Sequence, residues 1–319
     1  MRIAIAGAGM TGSYLYRLLR NAGYTPELFD VRPRTHCLIP PCAWGTSRGF
    51  DRMVAAAGLD PARYLLRRSE VIVMDGIEIP GDLFTFHKPN LVKDLLQGAH
   101  VRRESIDPSR YDRIIDATGV ARAFLPPIET DLVLPCVQWR VQPDGQLKNE
   151  VKLGKIGYAW CFPLSENEYH VGCGSLTSDP ERIIAGLGWV RGKLQCGCKG
   201  SIRITGPRRS QPFFHRIGGF PVWGVGEAIG CVAPLAGDGV LPGMISAGKL
   251  LDHWDDPEGY RRAVLREFKW MESEREVIDL LRNKNSIGLK EAWVLKKNSR
   301  RMGLQVGVRE AMALLKNLV

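Results

Sequence analysis

The sequence lacks several features that would assign it to a particular class of protein. No apolar run approaches the roughly 20 residues that span a bilayer, and the chain contains no internal repeat or low-complexity linker. The first residues already read as a strand entering a turn, which leaves no room for a signal peptide. A cytoplasmic protein is therefore expected, with peripheral contact to a membrane as an open alternative.

Cysteine is present without a pattern. The eight cysteines are scattered along the chain, which favours free thiols in a reducing compartment. Cys196 and Cys198 stand too close together for the usual zinc pair, and no second pair matches them. No metal site is predicted, while a disulfide of the kind found in thermophile cytosols stays open.

A glycine motif is present at the start of the chain, where Gly7, Gly9 and Gly12 follow an apolar strand and open a helix. Gly7 permits the tight turn, Gly9 lets the backbone approach a pyrophosphate, and Gly12 allows close packing of helix on strand. Asp30 ends the next strand, where an acid accepts hydrogen bonds from a ribose. These features predict a dinucleotide-type site. Its expected contacts are Gly7, Gly9, Met10, Thr11, Gly12, Asp30, Val31 and Arg32.

A second glycine-rich helix start follows much later. Gly237, Asp238 and Gly239 precede an apolar helix, whose N-terminus could stabilise negative charge on the N1–C2=O edge of a flavin. Glu227 could bond a ribityl hydroxyl, and residues 117–119 bring a third small-residue turn to the same sheet edge. Each alone is typical of a βα turn, but together they favour FAD over NAD. The further expected contacts are Cys42, Ala117, Thr118, Gly119, Glu227, Pro234, Gly237, Asp238, Gly239 and Val240.

The remaining pattern predicts an α/β protein: a Rossmann-like FAD-binding domain, an interleaved antiparallel β-sheet substrate domain and a helical C-terminal tail. Asp75 and Gly76 form the predicted turn of a hairpin. Strands are predicted at 2–6, 26–30, 70–75, 77–81, 111–119, 134–142, 201–207 and 222–230, a hairpin at 157–174, and helices at 11–22, 89–97, 240–253, 257–283 and from 289 onward. The predicted domains are 1–68, 89–130 and 218–255 for FAD, 69–88 and 131–217 for substrate, and 256–319 as a C-terminal segment.

The order of these motifs resembles the FAD-binding fold of the p-hydroxybenzoate-hydroxylase type, with Lys88 as the basic residue before a helix. Over residues 1–250 the chain more narrowly resembles the geranylgeranyl reductase family. The matching residues are Tyr158, Trp160, Phe162, Pro163, Val171, Gly172, Gly174, the helix start 234–240 and the cysteine loop 41–45. Glu227 stands where that family usually has Asp, and residues 251–319 have no counterpart that the motifs identify.

The resemblance implies that FAD delivers a hydride to C=C bonds of a prenyl or other lipid-like substrate. Strand alternation places Tyr158, Trp160 and Phe162 on one face, where they fill a core or line a pocket, and the resemblance favours a pocket. Cys42 could be a proton donor, a redox-active thiol or a buried structural cysteine. The candidate catalytic residues are Cys42, Tyr158 and Trp160. His87 and His170 are expected to make local hydrogen bonds.

Two other functions stay open. One is an FAD-dependent aromatic monooxygenase, a class that uses NADPH and O2 and usually has Asp-Gly where this chain has Thr118 and Gly119. The other is a non-catalytic flavin electron-transfer protein. The sequence contains no second Rossmann fingerprint, so the electron donor is either NAD(P)H without that fingerprint or a small acidic carrier such as a ferredoxin.

The formal net charge of +10 favours anionic partners. The basic pairs Arg208–Arg209, Lys296–Lys297 and Arg300–Arg301 could dock an acidic electron carrier, meet anionic lipid, or form solvated faces. No aromatic stacking motif accompanies these residues, so no nucleic-acid partner is predicted.

Overall fold

The computed structural model describes residues 1–31, 42–283 and 287–316, which form two β-sheets with helices packed on them. The strands are β1 Ile3–Ala6, β2 Glu27–Phe29, β3 Gly45–Thr46, β4 Leu65–Met74, β5 Ile77–Phe86, β6 Val101–Arg102, β7 Arg113–Asp116, β8 Val133–Gln142, β9 Glu150–Gly154, β10 Gly157–Ser165, β11 Glu168–Ser175, β12 Lys193–Arg203, β13 Phe214–Ile217 and β14 Phe220–Gly224. The helices are α1 Met10–Asn21, α2 Phe50–Ala56, α3 Lys88–Leu95, α4 Pro180–Leu187, α5 Val240–Asp252, α6 Pro257–Glu267, α7 Lys269–Arg282, α8 Leu289–Ser299 and α9 Val308–Lys316.

The first sheet has the strand order β13-β14-β7-β1-β2-β6 and is parallel except for β13. All four residues of β1 are buried, as expected for a parallel strand covered on both faces. The chain crosses from β1 through α1 to β2 on one side, whereas β7 lies on the other side of β1. The predicted βαβ start is confirmed, and the carboxyl ends of β1 and β7 meet at a switch in strand order, where open α/β sheets bind ligands.

The second sheet has the order β12-β8-β11-β10-β9-β4-β5-β3 and is antiparallel except where β4 meets β9. The predicted hairpin is β4–β5, with Asp75 and Gly76 at φ 48° and 84° in its turn. Both residues have the positive φ of a type I′ turn, which matches the twist of the flanking strands. The α/β fold predicted from the sequence is confirmed.

The two faces of the second sheet have different partners. On one face, Ala159 and Cys161 of β10 pack against Ile184 of α4 and against Trp189. The other face packs against the C-terminal helices, where Trp160 joins a cluster with residues of α7, α8 and α9. The C-terminal segment therefore covers the second sheet instead of extending from it.

Several elements differ from the predictions. Residues 257–283 form two helices, α6 and α7, because the chain breaks at Phe268, whose ring is buried in the core of the first sheet. The strand predicted at 201–207 is the end of β12, which begins at Lys193 and contains a bulge near Cys196. Periodicity missed the short elements β3, β6, β9, β13, α2 and α4. Cys196 is disulfide-bonded, so the expectation of free thiols is wrong there, whereas Cys42, Cys136, Cys161, Cys173, Cys198 and Cys231 are free.

The domain boundaries stay a prediction. Strand β13 begins at Phe214 and belongs to the first sheet, a few residues before the predicted return at 218. Strand β3 at Gly45–Thr46 pairs with β5 in the second sheet, although it lies inside the stretch predicted for the first domain.

Candidate functional site

The first helix start is a cradle built from backbone. Gly7 has φ +102°, and a Cβ there would lie 2.4 Å from the Ala117 carbonyl oxygen. A Cβ at Gly12 would lie 1.9 Å from the oxygen of Gly7. Gly9 is the N-cap of α1, and no side chain of the described residues caps the helix. The N-terminal N–H groups of α1 can therefore bind an anion, and these residues fit the pyrophosphate of a dinucleotide cofactor.

Asp30 lies beside this cradle as predicted. The Ala8 N–H donates to Asp30 Oδ2 at 3.2 Å, and Arg103 Nη1 donates to the Asp30 carbonyl oxygen at 2.7 Å. Val31 is 64% exposed. The prediction for Arg32 lies outside the described residues, as does Pro41 of the cysteine loop.

Thr11 lines the cavity, but its hydroxyl lies beside Gly226 and Gly243. A Cβ at Gly226 or at Gly243 would lie 2.6 Å or 2.3 Å from Thr11 Oγ1, so its hydroxyl fills the contact between α1 and α5. Of the predicted contacts, Thr11 can therefore serve a cofactor mainly through its backbone N–H.

The other predicted turns meet α1 at the carboxyl ends of β7 and β14. Asp116 accepts hydrogen bonds from the backbone N–H of Thr118 at 3.0 Å and of Phe124 at 2.8 Å, which fixes the turn after β7. Glu227 Oε1 accepts from the Arg203 N–H at 2.7 Å, and its Oε2 would lie 3.0 Å from a Cβ at Gly119. The strand ends thus bring residues 117–119 and Glu227 together, as predicted.

Arg203 holds these turns together and was missed in the sequence. Its guanidinium is 3% exposed, bonds Asp131 at 2.9 and 3.0 Å, and donates to the carbonyls of Gly119, Val120 and Glu227 at 2.8–3.1 Å. A buried arginine on a strand requires such partners. A charged residue in the alternating pattern at 201–205 was the available signal.

The second helix start bears a titratable group. The Val240 N–H donates to Asp238 Oδ1 at 3.0 Å. Burial raises the pKa of Asp238 from its ordinary value of 3.8 to about 6, against the opposing effects of this hydrogen bond and of the positive charge of Lys88. Lys88 is 8% exposed and starts α3, the position that the resemblance gives it. A carboxyl group whose pKa is close to neutral, Asp238, and a buried cation, Lys88, therefore lie at the start of α5.

In the cysteine loop, Trp44 packs against two histidine rings. Trp44 has φ 58° and is 4% exposed. Its ring lies 4.5 Å from that of His170 and 5.2 Å from that of His87. His170 Nδ1 donates to the Ala43 oxygen at 3.3 Å, and His87 Nδ1 accepts from the Asn90 N–H at 3.2 Å. Burial lowers the pKa of His170 to about 3. The two histidines make local hydrogen bonds, as expected, and Cys42 lies at the cavity wall.

One cavity joins all these parts. It has a volume of about 400 Å³, within the usual range of roughly 300–1,000 Å³ for ligand sites. At one end lie Gly9, Met10, Thr118, Glu227 and Gly237 to Val240, and Cys42 lies along the wall. At the other end the lining is mainly apolar, with Ser69, Asn149, Lys155, Glu274 and Ser299 among these residues: Ile72, Met74, Leu83, Val151, Leu153, Ile156, Ile278, Leu281, Leu295, Met302, Leu304, Leu314 and Leu315. We call this second end the apolar chamber.

The aromatic face of β10 stands between the two ends. Tyr158, Trp160 and Phe162 all line the cavity. The Trp160 indole lies over Gly172 of β11, where a Cβ would come within 2.3 Å of its ring. Trp160 is 4% exposed, and its Nε1 is buried without an acceptor among the described residues. The aromatic residues thus line the cavity, the alternative that the resemblance favoured, while Trp160 also belongs to the core cluster against which Tyr158 and Phe162 pack.

Tyr158 ties the aromatic face to the second helix start. Its hydroxyl donates to the Ala236 carbonyl, and burial raises its pKa. The phenol proton is therefore committed to a structural hydrogen bond.

Glu274 is the cavity residue that sequence reasoning missed. It lies on α7, and Ile278 and Leu281 follow it on the same helix face. It is 3% exposed, and its Oε2 accepts from the Leu235 N–H at 3.1 Å. Burial raises its pKa from the ordinary 4.5 to about 7, and no cation of the described residues lies within ion-pair distance. Its only sequence signal was an acid on an otherwise apolar helix stripe.

Comparison with known proteins gives the fold a context. No family model matches the chain. An uncharacterized protein of Methanocaldococcus jannaschii is 24% identical over 351 aligned positions, which cover 87% of this chain and 91% of that protein. A geranylgeranyl bacteriochlorophyll reductase-like protein from Thermoplasma acidophilum superposes with a TM-score of 0.68 at 15% identity, over 100% of this chain and 99% of that one.

A probable FAD-dependent monooxygenase from Pseudomonas aeruginosa superposes with a TM-score of 0.61 at 16% identity, over 99% of both chains. The chain has the fold of FAD-dependent flavoproteins. At these identities the likeness establishes the fold, and its extent includes the C-terminal helices that the motifs alone left unmatched.

The described residues lack two features that would bear on function. No helix there combines the length and the apolar character needed to cross a membrane. No group of three His, Cys, Asp or Glu side chains in that part of the chain could hold a metal ion.

Proposed function

We propose that the protein is an FAD-dependent oxidoreductase that reduces C=C bonds of a prenyl or other lipid-like substrate. The observation that carries this proposal is the single cavity that runs from the uncapped start of α1, past the aromatic face of β10, into the apolar chamber. A cofactor and a hydrocarbon could occupy its two ends and meet at Trp160.

The residues that would hold FAD are those of the two helix starts. The N–H groups of α1 would bind the pyrophosphate, Asp30 the ribose and Glu227 the ribityl chain. The N-terminus of α5, after Gly239, would face the edge of the ring that becomes negative on reduction. Bound, reduced FAD would supply the hydride for the reaction.

The chain itself must supply a proton and a dry pocket, since adding a hydride to one alkene carbon requires a proton at the other. Glu274 holds such a proton near neutral pH because burial raises its pKa to about 7. It lies on the helix that lines the apolar chamber and contacts Leu235 in the loop before α5. We assign it the role of proton donor, with Cys42 as the second candidate. Trp160 would form the cavity wall, and Tyr158 would position the loop before α5 through its hydrogen bond to the Ala236 carbonyl.

The test begins with the purified protein. Visible absorption should show bound flavin. The anaerobically reduced protein, mixed with a polyprenyl substrate, should then yield a product heavier by two hydrogens per reduced bond in mass spectrometry. Both NAD(P)H and a reduced ferredoxin should be offered as electron donors.

The outcomes separate the alternatives. Absence of flavin would contradict the cofactor assignment. Consumption of O2 with NADPH and hydroxylation of an aromatic substrate would identify a monooxygenase instead. Flavin that is reduced reversibly, without conversion of any alkene or aromatic substrate, would favour an electron-transfer protein.

A further inference from the structure

Helix α8 exposes large apolar side chains to solvent. Leu289 is 64% exposed and Trp293 is 56% exposed. They are four residues apart, so they lie next to each other on one helix face. Isolated exposed apolar residues need no explanation, but an adjacent pair on a helix that borders a cavity does.

The same face is cationic. Lys296, Lys297 and Arg300 follow Leu289 by seven, eight and eleven positions, which places them on its side of the helix. The Lys296 ammonium lies 4.5 Å from the centre of the Trp293 ring. We call this surface the α8 patch: Leu289, Lys290, Trp293, Lys296, Lys297, Arg300 and Arg301.

Within its own stretch of chain no acid offsets the charges of the patch, although the charge of Arg301 acts on the buried Glu274. Between positions 287 and 305 the sequence contains one acid, Glu291. Its side chain is turned toward the start of the helix, where Oε2 accepts from the Gly288 N–H at 2.8 Å, and the residue is 9% exposed. The outward face of α8 is therefore apolar and positive only.

The inward face of the same helix belongs to the cavity. Leu295 and Ser299 line it, together with Met302 and Leu304 of the segment that follows. One helix thus separates the α8 patch from the apolar chamber.

We propose that the α8 patch binds the surface of an anionic lipid bilayer. Lysine and arginine are attracted to anionic headgroups, and tryptophan favours the membrane–water interface. The charges alone would equally suit an acidic protein. The exposed Leu289 and Trp293 between them favour lipid, and an apolar chamber lies directly behind. This proposal does not depend on the proposed activity.

The test is sedimentation of the full-length protein with vesicles of phosphatidylcholine alone or mixed with phosphatidylglycerol. We expect binding to the mixed vesicles only, weakened by salt. Lys296→Gln with Lys297→Gln should weaken it about five-fold per lysine, since each cation near an anionic surface contributes about 1 kcal/mol. Leu289→Ala with Trp293→Ala should also weaken it. Brominated lipid should quench fluorescence in the unaltered protein more than in Trp293→Phe.

The matched control is Lys193→Gln with Leu194→Ala on β12, where a cation adjoins a leucine that is 52% exposed. This variant should bind as the unaltered protein does, and flavin content and melting temperature should be unchanged in all variants. No binding to mixed vesicles, or an equal loss in the β12 control, would overturn the proposal. Binding of an acidic protein that is lost with the lysines, without vesicle binding, would assign the patch to a protein partner instead.

Discussion

The two ends of the cavity are built on different principles. The end at α1 and α5 is made of backbone: glycines that leave no room for a Cβ, helix N-termini, and carbonyls gathered by Arg203. The apolar chamber is made of side chains contributed by β4, β5, β9, α7, α8 and α9. The end at α1 and α5 therefore depends on a few positions that tolerate little change. The apolar chamber instead depends on many side chains, each of which contributes a part of the lining. The variants below are ordered by how much each should disturb this arrangement.

The largest effect is expected at Gly12. In Gly12→Ala the new Cβ would lie 1.9 Å from the oxygen of Gly7, and neither backbone segment can move without opening the cradle. Overpacking typically costs about 1–3 kcal/mol and occasionally more, and we expect bound flavin to be lost. The measurements are the flavin-to-protein ratio and the free energy of unfolding.

Gly248→Ala is the matched control for this variant. Gly248 lies in α5, and a Cβ there has nothing within 4 Å. Alanine is the better helix former by roughly 1 kcal/mol, so this variant should keep its flavin and gain stability. Retention of flavin in Gly12→Ala would contradict the assignment of the cradle.

The second effect concerns Trp160, at the boundary between the two ends. Trp160→Ala should cost about 3–5 kcal/mol, as for other buried aromatic truncations. It should abolish or strongly reduce alkene reduction while flavin stays bound, because Trp160 lies on β10 and outside both helix starts.

Trp189→Ala provides the comparison for Trp160, since it removes an 8% exposed tryptophan from the opposite face of the same sheet. It should lose similar stability and keep its activity per folded molecule. Equal loss of activity in both variants would mean that Trp160 acts only through stability.

How much the sequence could predict follows from the same difference between the ends. Gly7 and Gly12 were predictable because a close backbone approach permits only glycine and so leaves a local motif. Asp30 was predictable because an acid ends the strand that follows this motif. The apolar chamber was not, because Leu281 and Leu314 follow an ordinary helical stripe and become a wall only when remote elements pack together. Arg203 was missed because its role rests on partners up to 84 positions away. The break at Phe268 was missed because its cause is tertiary burial.

The third effect is a pH dependence at Glu274, where the chamber has its titratable group. Below pH 4.5 both folded and unfolded chains hold this proton. Between 4.5 and about 7 the unfolded chain releases it while the folded chain retains it, so this contribution to stability falls as pH rises. Glu274→Gln should remove it, a difference on the order of 3 kcal/mol across that window.

Urea unfolding of the unaltered protein and Glu274→Gln at several pH values provides the measurement. The difference between the two curves isolates Glu274, since Asp238 titrates in both. Ile278→Val, one turn along the same helix face, contains no titratable change and should keep the slope of the unaltered protein. A constant difference across pH would show that Glu274 is not the titrating group, and the proton-donor role would lose its support.

The smallest effect is expected at Tyr158, whose hydroxyl joins the two ends through the Ala236 carbonyl. Tyr158→Phe removes one hydrogen bond and should cost about 1 kcal/mol. If Tyr158 positions the loop before α5, this variant should change KM or flavin affinity modestly and leave the pH profile of kcat unaltered. If its phenol were the proton donor, kcat should instead fall by the roughly 100-fold or more that general acid catalysis contributes. Because the hydroxyl already donates to a carbonyl, we expect the first result, which would leave Glu274 and Cys42 as the proton donors to compare.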